Sequence, residues 1–228
     1  NFAEFVAILS GNTDLLEKAK LDNKIMQLEK EQGIFKKERI RAERKMNTVQ
    51  EEIQKADDMA ARMTRDMEYI ASYTGERRTL LLNLPQATVE ETGRELHRIA
   101  KTYRSGAYGT IGTYAGLNLL VHSEYNWCGT FDRNVFLVEG PSGLKYRCGQ
   151  YGALLLGFAE TSRYPEITLN RLPFMIEEQR RKIARLESEL PALEAIVART
   201  WGKTDELSRL RQECRALQQS IDEGMKEA

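Results

Sequence analysis

A seven-residue apolar repeat dominates the first third of the chain. Leu21, Ile25, Leu28, Phe35, Ala42, Met46, Val49, Ile53, Ala56, Ala60, Met63, Met67 and Ile70 follow one another at intervals of 4, 3, 7, 7, 4, 3, 4, 3, 4, 3, 4 and 3. Such spacing keeps one stripe of a helix apolar and wound against a neighbour. Ile25, Met46, Ile53, Ala60 and Met67 take a positions; Leu21, Leu28, Phe35, Ala42, Val49, Met63 and Ile70 take d positions. Only Gln32 and Arg39, both at a, interrupt the seam. No proline precedes Pro85, so one helix from about Asp14 to about Ser72 is expected, roughly 90 Å long at 1.5 Å per residue. Asn12 or Thr13 would cap it, and Gly11 would part it from a short helix around Phe2–Leu9. A helix of this length needs a partner along its seam.

The last third of the chain supplies one. Leu172, Ile176, Ile183, Leu186, Leu190, Leu193 and Val197 keep a heptad seam, and Leu207, Leu210, Cys214, Leu217 and Ile221 keep another. The ten-residue step from Val197 to Leu207 shifts the register across Thr200-Trp201-Gly202-Lys203. A helix break is expected there, with Thr204 capping the second piece. Pro191 implies a kink or a restart within the first. The two pieces together nearly match the first helix in length, so an antiparallel helical hairpin is the natural pairing.

Between these flanks the composition changes. Residues 103–164 hold 11 of the 18 aromatics and 10 of the 16 glycines but only nine charged side chains. A turn-rich, aromatic-cored unit is therefore expected at the tip of the hairpin. Arg78–Asn83 reads as a strand or extended lead-in. Thr88-Val-Glu-Glu91 is a capping box, followed by Leu96, Ile99, Ala100 and Tyr103 on one helical face. Gly106–Gly116 reads as a loop with positive-φ residues. Leu117, Leu119 and Val121 alternate with Asn118 and His122 as in a half-buried strand. Val135–Val138 and Leu144–Cys148 flank Gly140-Pro-Ser-Gly143, a hairpin connection that would turn Leu144, Tyr146 and Cys148 to the core.

The expected fold class is α+β, a long antiparallel helical hairpin (coiled coil) with a small inserted antiparallel sheet-plus-helix domain. The expected division is residues 1–75 for the short helix and long coiled-coil helix, 76–168 for the inserted domain and 169–228 for the returning helices. With 34 Lys+Arg against 34 Asp+Glu, the zero net charge argues against a strongly basic nucleic-acid binder, while leaving local patches open. The apolar runs, such as Phe5–Leu9 and Ala153–Leu156, are far short of the roughly 20 residues of a membrane helix. Three cysteines without a signal-peptide pattern point to a reducing, cytoplasmic setting. The start at Asn1, in mid-pattern and without Met, leads us to expect a fragment of a longer protein.

Catalytic sets are thin. His97 and His122, the two histidines, read as surface or rim residues. Cys128 and Cys148 could face each other across neighbouring strands, but neither has the CxxC partner of a zinc site. Cys214, at a seam position, reads as a small core hydrophobe. Gly106-Ala-Tyr-Gly109-Thr-Ile-Gly112 fits neither phosphate-loop pattern and precedes a strand where those loops precede a helix. No catalytic residue, cofactor or metal is expected.

One feature carries binding content. Glu17–Lys45 holds ten Lys/Arg against six Asp/Glu. Lys30, Lys37 and Arg44 recur every seven residues at f, and Arg41 and Lys45 widen the stripe. These five are the nucleic-acid candidates, since such a stripe can track a phosphate backbone; a solvated coiled-coil surface carries the same pattern. Met26, Ile34 and Ile40, at b and c, are apolar off the seam and suggest a further element on that side, either the short N-terminal helix or the rest of a parent protein.

Phe2-Ala-Glu-Phe, Leu9-Ser-Gly-Asn12, Leu16-Glu-Lys18, Leu21-Asp-Asn23, Ile111-Gly-Thr-Tyr-Ala-Gly-Leu117, Pro165-Glu-Ile-Thr168 and Asp205-Glu-Leu207 occur in this order. Together they resemble the segment following the helicase core in very large Swi/Snf-like helicase/N6-adenine DNA methylase proteins of Bacteroides-type conjugative elements and phages. The chain departs from that pattern at Pro191 and at Thr200-Trp201-Gly202. The resemblance implies a non-catalytic accessory module that positions the parent enzyme on DNA or on a partner, with the remainder of the parent as one partner. A P-loop, an acidic box and an Asn-Pro-Pro-Tyr motif are all missing from the sequence, so any ATPase or methyltransferase activity is expected in the parent. A coiled-coil interaction or dimerisation scaffold without a nucleic-acid role is the alternative.

Overall fold

The structure, a computed structural model, describes residues 13–75, 80–82, 87–148 and 157–224. The helix expected around Phe2–Leu9, its Gly11 break, the Asn12 cap and the ends of the Arg78–Asn83 segment lie outside the described residues. The fold is α+β. In chain order it comprises α1 (Thr13–Ala71), β1 (Leu80–Leu82), α2 (Val89–Thr102), β2 (Gly109–Tyr114), β3 (Leu117–Tyr125), β4 (Phe131–Glu139), β5 (Lys145–Cys148), α3 (Phe158–Thr161), α4 (Tyr164–Leu169), α5 (Leu172–Ala198) and α6 (Thr204–Gly224). Two compact units divide the chain: Glu52–Leu186 forms one, and the residues before and after it form the other.

In the unit formed by the two chain ends, α1 pairs antiparallel with α5 and α6. Lys45 meets Glu189, Glu31 meets Lys203, Glu29 meets Arg211 and Lys24 meets Glu206, so the early part of α1 lies beside α6 and the later part beside α5. Leu28 packs with Leu207 and Leu210, flanked by Leu21, Ile25 and Trp201. Buried Leu28, Ala42, Val49, Ala56, Met63 and Ile70 follow the d column along the whole helix. The helix break falls at Arg199–Lys203. Thr204 is the first residue of α6, and its Oγ1 donates to the Trp201 carbonyl at 2.9 Å, so its hydroxyl ties down the linker where a cap had been expected. Pro191 starts no new helix, because α5 runs through it. Its side is exposed, where water can serve the carbonyl that the missing N–H leaves free.

In the other unit, five strands form an antiparallel meander in sequence order. Leu119, Val121, Phe136, Val138, Tyr146 and Cys148 on one face join Met63, Ile70, Leu96, Leu172 and Ile176 from the helices in a single core. Leu120, Val135 and Leu137 form a second buried cluster, so β3 and β4 bury residues of both faces, beyond the half-buried strand expected. Thr88 caps α2 as the sequence implies: Oγ1 accepts from Glu91 N at 3.2 Å while Thr88 N donates to Glu91 Oε2 at 2.8 Å. The Gly140–Gly143 connection joins β4 and β5 with Glu139 opposite Lys145.

The expected Gly106–Gly116 loop is instead largely strand β2. Gly112 sits beside a bulge, and a Cβ there would collide with the Leu81 carbonyl of β1; the glycine permits close approach of backbone in a strand of β-forming Thr, Ile and Tyr. Within the stretch, positive φ is confined to its end, at Ala115 (49°) and Gly116 (73°). With Tyr114 paired to Leu117, these two make the tight hairpin loop typical of twisted strands.

Candidate interaction face

The a and d columns of α1 turn inward, which leaves b, c and f on the outer face. The structure places all five candidate cations there or at its edge, and all are exposed. Lys45 binds Glu189 at 3.1 Å, and with Arg41, Leu193 and Arg199 it lines a groove of about 440 Å³. Among the described residues, Lys30, Lys37, Arg41 and Arg44 have no carboxylate in ion-pairing range. Arg39 differs, pairing with Glu43 at 3.3 Å, while Lys36 donates to the amide oxygen of Gln32.

Apolar groups are interleaved with those cations. Met26 is 64% exposed, Ile34 52% and Ile40 46%. Met26 and Ile40 share the b column with Gly33, whose missing Cβ would meet nothing within 4 Å. Gly33 was not singled out from sequence, although its seven-residue spacing from both apolar neighbours was legible there.

A second polar constellation holds the sheet against α1. Asp66 is completely buried. Its carboxylate accepts Ser142 N at 2.8 Å, Ser142 Oγ at 2.6 Å and Tyr146 OH at 2.6 Å, while Arg62 Nη2 donates to the Ser142 carbonyl at 2.9 Å. Gly140 leaves room for this, since a Cβ there would strike the carboxylate. Burial, and then the Asp66 charge, push the Tyr146 phenol above its ordinary value. Three donors on one buried carboxylate make an anchor.

Asn134 fastens α2 to the sheet in the same manner. Nδ2 donates to the Ala100 and Tyr103 carbonyls at 2.8 and 2.9 Å, and Oδ1 accepts Ser123 Oγ at 2.7 Å. On the sheet, Glu124 bridges Arg133 and Arg147. Burial raises its carboxyl, but hydrogen bonds and charge from the two arginines outweigh this and hold it below the ordinary value. A cavity of about 580 Å³ lies beside the end of α2; there Arg98 is taken up by Glu95 through contacts of 2.6 and 2.7 Å.

His97 is half-buried, with Nε2 3.0 Å from Thr161 Oγ1 and its ring edge-on to Phe158. His122 lies within β3, its ring tilted against Tyr108 with centroids 4.8 Å apart. Cys128 and Cys148 do not face each other: Cys128 is exposed in the β3–β4 turn, and Cys148 is buried at the end of β5, where burial pushes its thiol up to about 12. Cys214 is less of a core residue than expected. It is half-buried, donates from Sγ to Asp22 Oδ1 at 3.1 Å, and is raised by burial first and by Asp22 next. Among the described residues no three His, Cys, Asp or Glu side chains cluster as a metal site, and no helix is long and apolar enough to cross a membrane.

Residues 64–169 match a protein family described as a domain of unknown function (DUF8438). That span opens in the last turns of α1, contains Asp66 and strands β1–β5, and closes at Leu169, the end of α4. No curated protein and no solved structure matches the chain.

Proposed function

We propose that this chain is a non-catalytic accessory module of a larger bacterial, cytoplasmic mobile-element protein of the DNA helicase/N6-adenine methylase type. Its task is to position that parent, and the outer face of α1 is the surface it uses, docking on the remainder of the parent polypeptide. The parent's identity rests on the sequence resemblance. The docking role rests on one observation: Met26, Ile34 and Ile40 lie exposed among cations on the face opposite the seam. Isolated exposed apolar residues are ordinary, but three within about two heptads of one helix face form a patch of the kind interaction sites use.

The test is association of this chain with the rest of the parent supplied as a separate polypeptide, followed by sedimentation. The variant Met26→Gln/Ile34→Gln/Ile40→Gln keeps the fold, because all three side chains face solvent, and is expected to lose binding. Unchanged association in that variant overturns the proposal.

DNA is the second reading, favoured by Lys30, Lys37, Arg41 and Arg44 standing without carboxylate partners among the described residues. It expects duplex binding whose log K falls with log salt at a slope of about −4 for four phosphates. Reversal of the stripe charges would abolish that binding, and the three glutamines would leave it intact.

A further inference from the structure

We infer that the outer face of α1 receives an acidic amphipathic helix of the parent polypeptide, crossing at Gly33; this rests on the docking role proposed above and adds the chemistry of the partner. A glycine in a helix interior costs about 1 kcal/mol relative to alanine. Among the described residues nothing accounts for Gly33, since a Cβ there would meet nothing within 4 Å. Its absence therefore serves an approach from outside, where it allows a second backbone to come close.

The surroundings form a second heptad column. Met26, Gly33 and Ile40 succeed one another at b, with the two exposed apolar side chains framing the small residue. The f column beside it, Lys30, Lys37 and Arg44, is cationic and unpaired among the described residues. On the other flank, at e, Glu29 is held by Arg211 and Glu43 by Arg39, with Lys36 between them donating to Gln32. A helix laid along b thus meets three cations unpaired among the described residues on one side, and two neutralised carboxylates and Lys36 on the other. It is matched by carboxylates along one of its own flanks, which also fixes its direction.

A second copy of this chain fits poorly. Antiparallel pairing would set Lys30, Lys37 and Arg44 against their own image, and parallel pairing would set them against Glu29 and Glu43, which are already engaged. DNA has no use for a b column of Met, Gly and Ile.

The probe is a labelled helical peptide of roughly four heptads, with a Leu/Ala seam and Glu along one flank, titrated into the full chain by fluorescence anisotropy. A control peptide carries Lys in place of Glu. The Glu peptide is expected to bind, Gly33→Leu to weaken it about tenfold through overpacking at the crossing, and Gly33→Ala to weaken it less. Lys30→Glu/Lys37→Glu/Arg44→Glu is expected to exchange the preference to the Lys peptide. Both Gly33 variants fold, since the added atoms point into open space, and circular dichroism verifies this. Equal binding by Gly33→Leu, or equal binding of both peptides, overturns the inference while leaving the docking role intact if Met26→Gln/Ile34→Gln/Ile40→Gln still abolishes association with the parent. Salt-dependent duplex binding with no peptide binding, or self-association of the chain lost on charge reversal, overturns it as well.

Discussion

The hydroxyl of Tyr146, on the last strand, donates to Oδ2 of the fully buried Asp66 on α1 across 2.6 Å. With Ser142 it completes a three-donor cradle that leaves little of the carboxylate unsatisfied. Asp66→Ala strands the buried Tyr146 hydroxyl and two donors of half-buried Ser142 and should cost about 3–5 kcal/mol. Tyr146→Phe removes one donor and should cost about 1–3 kcal/mol. Urea unfolding followed by near-ultraviolet circular dichroism separates the two. If Asp66→Ala is no worse than Tyr146→Phe, the cradle is not the anchor described.

Gly33→Ala should stabilise the isolated chain by up to about 1 kcal/mol, because it improves an exposed helix interior without meeting a neighbour. Thermal melting of the free chain checks this. A lower melting temperature would show that Gly33 serves a local bend and not an outside approach.

The three thiols should differ in reactivity. Cys128 is exposed and reacts first, Cys214 is half-buried and slower, and Cys148 reacts only on unfolding, since burial both covers it and disfavours its thiolate. Timed alkylation with mass spectrometry resolves them. Reaction of Cys148 in the folded protein at the rate of Cys128 would contradict the placement of β5.

Acid should weaken the fold in a defined window. Hydrogen bonds from Thr88, Arg98 and Lys145 hold Glu91, Glu95 and Glu139 below the ordinary glutamate value of 4.5. Groups depressed in the folded state contribute stability above their unfolded pKa and lose it as pH falls through the folded one. The melting temperature should therefore be level from pH 7 to about 5 and fall below 4.5. A melting temperature that rises on acidification would reverse the sign of these contacts.

How much of this was legible in the sequence depends on how local each cause is. The heptads of α1, the Thr88/Glu91 box and the Gly140–Gly143 connection arise within a few residues of chain, and each appears where the pattern places it. Strand β2 was hidden because its glycines resemble loop punctuation until β1 and Tyr103 are seen pressed against them. Asp66 sits in an acidic stretch that reads as a solvated helix face. Its burial depends on Ser142 and Tyr146, 76 and 80 residues away. On the interaction face, the cations and the off-seam Met26, Ile34 and Ile40 were all readable, and the structure added that, among the described residues, four of the cations have no carboxylate partner and nothing lies within 4 Å of a Cβ on Gly33.

The docking role is tested most directly by oxidative footprinting at Met26. Hydroxyl-radical oxidation is measured in this chain alone and in the intact parent, with the half-buried Met46 on the same helix as an internal reference. Met26, 64% exposed in the chain alone, should oxidise readily there and be protected several-fold in the parent, while Met46 changes little. Equal Met26 oxidation in both would contradict a covered outer face on α1.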